Sequence, residues 1–330
     1  MGPVGKPALV LGIETSCDET SVAVVEGGRK VLSNVIHSQV DLHREFGGVV
    51  PELAARDHLE RLPRLVGLAL DRALSRPADV DLIAVTRGPG LAGCLLVGTG
   101  VGEGLAAAWG TPLTGVNHLW GHVYAAMLTR PDLEPPLLGL VVSGAHSDLV
   151  RMPAHGTFEV IGRTRDDAAG EAFDKAARML GLGYPGGPAL DRLARQGDRS
   201  RRPLPRPSLP GLEYSFSGLK TALLYRLREM LDPDQQARAD LAAAFEHSVV
   251  ESLLEKLDAA LGAQEVGEVV VCGGVAANTL LRKRAAEVVA GRARLTMPPL
   301  ELCTDNAAMI AAAGFYGAGQ PATVEPSLSW

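Results

Sequence analysis

The hydrophobic pattern opens with a continuous apolar run, Ala8-Leu-Val-Leu-Gly-Ile, closed by Glu14. A polar stretch from Thr15 to Thr20 and a second apolar run, Ser21-Val-Ala-Val-Val25, follow. Short runs bounded by turn residues predict two strands of a hairpin with a polar tip. The pattern returns at Leu137-Leu-Gly-Leu-Val-Val142, Ser143-Gly-Ala-His-Ser-Asp148 and Leu149-Val-Arg-Met152, so each half of the chain begins alike. A third run, Val269-Val-Val-Cys272, meets Gly273, Gly274 and then Asn278-Thr-Leu-Leu-Arg282, which reads as a buried strand, a double glycine and a helix start. The stretch Asn117-His-Leu-Trp-Gly-His-Val-Tyr-Ala-Ala-Met-Leu128 predicts a helix with His118 and His122 on one face.

At 330 residues the chain exceeds a single hydrophobic core, and two domains or two fused halves are expected. Hydrophobic residues make up 46% and aromatics only 4%, so the core is built of Val, Leu, Ile and Ala, as in buried parallel strands and their covering helices. The longest uncharged stretch, Gly88 to Gly102, is too short to span a bilayer, and no transmembrane segment is expected. The N-terminus, Met-Gly-Pro-Val-Gly-Lys, carries no apolar signal region, and Lys6 stands where a myristoylation signal wants Ser or Thr. A cytoplasmic location follows as an expectation. Cys17, Cys94, Cys272 and Cys303 form no CxxC pair and are expected as reduced thiols.

The net charge of −6 argues against nucleic-acid binding over the whole surface. One local basic patch exists: Arg192, Arg195, Arg199, Arg201, Arg202 and Arg206 crowd a short segment that turns proline-rich through Pro203, Pro205, Pro207 and Pro210. Two readings are open, a solvated mobile loop and an arm that meets a polyanion.

The histidine spacing can place two nitrogens on one metal ion, or the histidines can simply cap and pack their helix. Leu119 occupies the position where the zinc-peptidase signature HExxH needs a glutamate, so peptide hydrolysis is disfavoured. The two hairpin tips, rich in Ser, Thr, Asp and Gly, offer amides and hydroxyls to a phosphate-bearing ligand. Asn278 either holds that ligand by its amide or caps its helix.

Two such tips and a strand-Gly-Gly-helix, in this order, resemble the actin, Hsp70 and sugar-kinase superfamily. That resemblance implies two ribonuclease-H-like α/β halves around a central nucleotide cleft. The expected organisation is residues 1–130 as the first half, 131–302 as the second with the basic insert, and 303–330 returning to the first. More specifically, Gly12-Ile-Glu-Thr-Ser-Cys-Asp-Glu-Thr-Ser21, Phe46-Gly-Gly-Val-Val-Pro-Glu-Leu-Ala-Ala-Arg56, Gly88-Pro-Gly-Leu91, the HxxxH helix, Val142-Ser-Gly-Ala-His146, Ser215-Phe-Ser-Gly-Leu-Lys-Thr221 and Cys303-Thr-Asp-Asn306 resemble the TsaD family, from about residue 8 to about residue 316. These are tRNA N6-adenosine threonylcarbamoyltransferases.

The family implies transfer of a threonylcarbamoyl group from threonylcarbamoyl-adenylate to the adenosine beside the anticodon of ANN-reading tRNAs, with release of AMP. It implies one divalent metal on His118, His122 and Asp305, with Fe(II) favoured and Zn(II) possible. As a bare sequence feature, Asp305 reads instead as a helix cap. Substrate contacts carry over to Val141, Val142, Ser143, Gly144 and Ala145, to Asp174, Gly187 and Asp191, and to Asn278. Ala145 stands where the family usually has glycine, and a methyl there is expected to hinder a positive φ or a close backbone approach. Asp18 and Glu19 are candidates for accepting the proton released by the attacking amine. The implied partners are tRNA, the inactive paralogue TsaB and the small ATPase TsaE.

Overall fold

The computed structural model describes residues 8–230, 233–317 and 320–330; the N-terminal segment read above for signals, Met1 to Lys6, lies outside them. The chain forms two compact α/β units: unit 1 is Met1–Glu134, Ala154–Thr157 and Pro298–Trp330, and unit 2 is Pro135–Pro153 and Phe158–Met297. The turn at 154–157, expected with the second half, groups with unit 1. There the His155 ring stacks on Tyr316 with centroids 3.9 Å apart.

Unit 1 carries a sheet of β1 (Leu9–Glu14), β2 (Glu19–Glu26), β3 (Lys30–Ser38), β4 (Leu82–Gly88) and β5 (Leu113–Asn117) in the order β3-β2-β1-β4-β5. The first three strands pair antiparallel, while β4 and β5 continue parallel to β1. Every residue of β1 is buried, which is why its sequence is continuously apolar instead of alternating. Leu9, Leu11 and Ile13 join a core with Leu62, Leu65 and Val66 of the helix Pro51–Arg72. Gly12, between them, turns to the helix Ala307–Tyr316, and a Cβ there would stand 2.1 Å from the Ala307 carbonyl oxygen. Glycine is required by this approach.

Unit 2 repeats the arrangement with β6 (Leu137–Val142), β7 (Ser147–Ala154), β8 (Thr157–Arg163), β9 (Glu268–Cys272) and β10 (Arg294–Thr296) in the order β10-β9-β6-β7-β8. Again a hairpin, β6 with β7, leads the sheet, and β9 and β10 join it parallel. Gly273, after β9, adopts φ +90°, where a Cβ would stand 2.4 Å from the Val142 carbonyl oxygen; this lets the ends of β6 and β9 lie together. The four cysteines are free thiols, and all but Cys17 are buried. Among the described helices, Ala92–Trp109 alone is long and apolar enough to cross a membrane by length and composition. Cys94, Leu95, Gly98, Thr99 and Gly102 form its buried positions.

The proline-rich segment is not a free loop. Ser248 donates to the Leu204 carbonyl (3.4 Å), Ser252 to that of Pro207 (3.0 Å) and Lys256 to that of Leu209 (2.7 Å). These donors stand at i, i+4 and i+8 on one face of the helix Gln235–Ala263. They satisfy carbonyls in a strap whose prolines have no N–H to form a ladder.

Candidate metal centre and nucleotide-holding residues

In unit 1 two helix starts bring the metal candidates together. Asn117 ends β5 and caps the helix His118–Thr129 by accepting the Leu119 N–H (2.9 Å), which puts His118 at the first helical position and His122 one turn on. Asn306 caps the helix Ala307–Tyr316 by accepting the Met309 N–H (3.0 Å). Asp305 is therefore not the cap that its turn suggests. Its Oδ1 lies 3.4 Å from His118 Nε2 and 3.5 Å from His122 Nε2.

The three side chains offer ligand atoms all within 4.8 Å of one another. Donors held about 2.1 Å from a common ion stand about 3.4 Å apart along a tetrahedral edge, so the residue types and the two Asp305–histidine separations fit a divalent metal. Behind them is a residue that sequence reasoning missed. Glu14, fully buried at the end of β1, places Oε2 3.0 Å from His118 Nδ1 and also accepts from Thr86 Oγ1 (2.6 Å) and the Ser16 amide (2.5 Å). A carboxylate on Nδ1 fixes the tautomer that presents Nε2 as a ligand. Burial opposes charge on His118, yet Asp305 and Glu14 raise its proton affinity well above the ordinary imidazole range. Glu14, despite the burial that opposes its ionisation, is held below the usual carboxylate range by His118. Two carboxylates flanking a buried imidazole call for a positive charge at this point.

The tip between β1 and β2 carries Asp18, 9% exposed, and Glu19. His58 anchors the tip by hydrogen bonds to the Cys17 carbonyl (2.9 Å) and Thr20 Oγ1 (2.7 Å). Burial, with Asp305 and Asp18 nearby, pushes the Glu19 carboxyl up to about 9. A carboxyl raised in this way is less ready to accept a proton, which counts against Glu19 in that role.

In unit 2, the side chains of Val141 and Val142 are buried in β6, so only their backbone can meet a ligand. Ser143 closes the β6–β7 tip: its amide donates to the His146 carbonyl (2.8 Å), and its hydroxyl accepts the His146 N–H (3.2 Å). Gly144 and Ala145 are exposed at that tip. Neither has a positive φ, so the conformational objection to Ala145 does not apply. Asp174 Oδ1 accepts the amides of Gly186 (3.0 Å) and Gly187 (3.1 Å) at the start of the helix Gly186–Ala194. Asp191, 8% exposed, accepts the Thr279 amide (3.1 Å) and pairs with Arg195.

Asn278 takes up the cap reading, and its amide nitrogen faces two carboxylates of the protein. Its Oδ1 caps the helix Thr279–Val289 (2.8 Å to the Leu281 amide), and its Nδ2 reaches Glu246 Oε1 (2.7 Å) and Asp191 Oδ1 (3.3 Å). Glu246 was not legible in the sequence. Its burial and the Asp191 carboxylate push its carboxyl up to about 8. Asp166 accepts the Ser215 hydroxyl (2.5 Å) and the Phe216 amide (2.7 Å), which fixes the Ser-Phe-Ser-Gly-Leu-Lys segment. Asp167 joins Lys175 (2.9 Å) and Lys220 (3.0 Å).

Two units with the same strand order, each led by a hairpin with a polar tip, define an α/β protein of the actin, Hsp70 and sugar-kinase class. Solved structures with this fold include HypF from T. kodakarensis (TM-score 0.65, 14% identity, 96% of this chain and 48% of that one). Component A of the (R)-2-hydroxyglutaryl-CoA dehydratase of Acidaminococcus fermentans is another (TM-score 0.55, 16% identity, 93% and 98% coverage). The sequence model of the TsaD family, described as tRNA N6-adenosine threonylcarbamoyltransferase, matches residues 30–312, and this chain belongs to that family. Proteins with that name are 54% identical in Symbiobacterium thermophilum and 52% identical in Thermosipho africanus. The alignments cover 93% of this chain, and 91% and 93% of those proteins respectively.

Proposed function

We propose that this chain transfers the threonylcarbamoyl group of threonylcarbamoyl-adenylate to the N6 amine of the adenosine 3′ of the anticodon in ANN-decoding tRNAs, releasing AMP. Family membership over nearly the whole chain, with His118, His122 and Asp305 gathered at ligand spacing, is the observation that carries this reading.

His118, His122 and Asp305 would hold one divalent ion, Fe(II) in preference to Zn(II), which when bound supplies Lewis acidity towards donor oxygens. Glu14 keeps His118 in the ligating tautomer. In unit 2, the Gly144 amide and the Ser143 hydroxyl suit an anionic phosphate. Asp174, Gly187, Asp191 and Asn278, together with the backbone of Val141, Val142 and Ala145, suit the rest of the adenylate. The adenosine amine attacks the carbamoyl carbonyl, a C–N bond forms, and the bond from that carbon to the AMP phosphate oxygen breaks. The amine's proton passes to Asp18. No enzyme nucleophile is needed, and Glu19 orders the tip.

We further propose that the chain works in the cytoplasm with the inactive paralogue TsaB and the small ATPase TsaE, and that another enzyme supplies the adenylate. Incubating the purified protein with synthetic threonylcarbamoyl-adenylate and unmodified tRNA, then digesting to nucleosides for mass spectrometry, tests the activity. The expected product is N6-threonylcarbamoyladenosine in ANN-decoding tRNAs only; unmodified adenosine at that position in the presence of the partners contradicts it.

A further inference from the structure

The arginine-rich segment divides sharply by what each side chain touches. Arg195 pairs with Asp191, Arg201 with Asp198 (3.6 Å) and Arg206 with Glu255 (3.6 Å). Arg199 differs: its Nη1 donates to His247 Nδ1 (2.8 Å), a neutral acceptor, and it forms no ion pair among the described residues. Burial, together with the cations Arg199, Arg284 and Arg206, keeps His247 below the ordinary imidazole range, which preserves that lone pair. No carboxylate among the described residues lies at ion-pair distance from the guanidinium, and Asp198 acts on it only at longer range. The neighbouring carboxylate, Asp198, is occupied by the amide (2.9 Å) and hydroxyl (2.6 Å) of Ser200.

Arg199 and His247 line two adjoining cavities of unit 2, of about 430 and 440 Å³. Arg206 lines the first, while Lys283 and Arg284 line the second with Glu251 and Glu287. Both carboxylates are claimed by Arg284. Lys283, exposed on the helix Thr279–Val289, has no ion pair among the described residues. The cavities therefore carry four cationic side chains against two carboxylates, in a chain whose net charge is −6.

The backbone beneath Arg199 is fixed. The Asp198 amide donates to Asp240 (2.8 Å), and Gly197 packs so closely on the helix Gln235–Ala263 that a Cβ would stand 2.0 Å from the Ala239 carbonyl oxygen. The strap that follows is tied down by Ser248, Ser252 and Lys256. A cation held in place loses little entropy on binding, unlike one on a mobile tail. In sequence, cavity residues stand close to the residues proposed above for the adenylate. His247 follows Glu246, and Leu280, in the second cavity, lies two residues beyond Asn278.

We propose that the paired cavities at Arg199 and Lys283 bind phosphodiester groups of the tRNA acceptor, with Arg199 and Lys283 as the contacts. This rests on the tRNA-modifying function proposed above. Phosphate contacts of this kind fix the register of an RNA without reading its sequence.

The test compares the full-length wild type with the variants Arg199→Glu/Lys283→Glu and Arg199→Gln/Lys283→Gln. Binding of unmodified tRNA is measured from 50 to 300 mM KCl, AMP binding is measured in parallel, and circular dichroism checks the fold. Both residues are exposed, and the glutamine pair guards against failure of the charge-reversed pair to fold. The expected result is at least about ten-fold weaker tRNA binding for the reversal, a salt slope lower by about 2 in the glutamine pair, and unchanged AMP affinity. Unchanged tRNA affinity and slope in variants of a wild type that modifies tRNA overturn the cavity assignment alone. Weakened AMP binding with unchanged tRNA binding also overturns it, assigning the cavities to a nucleotide phosphate. A wild type that binds tRNA with the expected dependence on both residues but transfers nothing contradicts the activity and leaves the assignment standing.

Discussion

Glu14 at the end of β1 meets His118 at the first position of its helix, with Oε2 and Nδ1 3.0 Å apart, both buried. The contact joins residues separated by 104 positions and determines which imidazole nitrogen is available to a metal. Glu14→Gln keeps the size but removes the charge that secures this tautomer. Metal affinity is expected to fall about 10- to 100-fold, read by competition with a chromogenic chelator. Wild-type affinity in the variant counts against the role given to Glu14.

Gly12→Ala places a methyl 2.1 Å from the Ala307 carbonyl oxygen, where backbone must move to admit it. A loss of about 1–3 kcal/mol is expected in denaturant unfolding. Because the helix displaced begins two residues after Asp305, metal retention falls with stability. Full stability would mean that β1 and this helix do not pack as described.

Glu246 gives a pH dependence of definite sign. Its carboxyl rises from 4.5 unfolded to about 8 in the folded chain, through burial and the Asp191 carboxylate. The folded state thus holds a proton that the unfolded state releases, so this contribution is complete below about 4.5 and is lost as pH climbs through about 8. Glu246→Gln donates and accepts as the protonated acid does, and should flatten the decline of Tm between pH 5 and pH 8. An unaltered slope removes Glu246 as its source.

Asp174 accepts two amides at the start of the helix Gly186–Ala194. Asp174→Ala should cost about 1–2 kcal/mol, as loss of a helix cap does, and weaken AMP binding by displacing Gly187. Calorimetric titration of AMP into the variant checks the second effect. Lost stability with intact AMP affinity would make Asp174 purely structural.

How much of this was written in the sequence depends on the range of the interaction. The two hairpins and the strand before Gly273 were legible because burial on both faces makes their apolar runs continuous. The histidine pair was legible from helical spacing. Asp305 was legible as a ligand only through the family resemblance, because a Thr-Asp-Asn turn by itself offers two cap candidates, and the fold gives the cap to Asn306. Glu14 left one faint signal, an acid ending a run whose every residue is buried. The proline-rich segment reads as loose by composition, although Ser248, Ser252 and Lys256 at four-residue intervals on an otherwise apolar helix face marked its anchor. Glu246 became visible only when the fold brought Asp191 and Asn278 to it from 55 and 32 residues away.

The central claim is that His118, His122 and Asp305 hold one divalent ion. Metal content per chain, measured by inductively coupled plasma mass spectrometry on wild type, His118→Ala, His122→Ala and Asp305→Ala purified in parallel without oxygen, tests it most directly. The account predicts about one ion per wild-type chain and less than about a tenth of that in each variant, with the fold intact by circular dichroism. Variants that retain the wild-type complement of metal would contradict it.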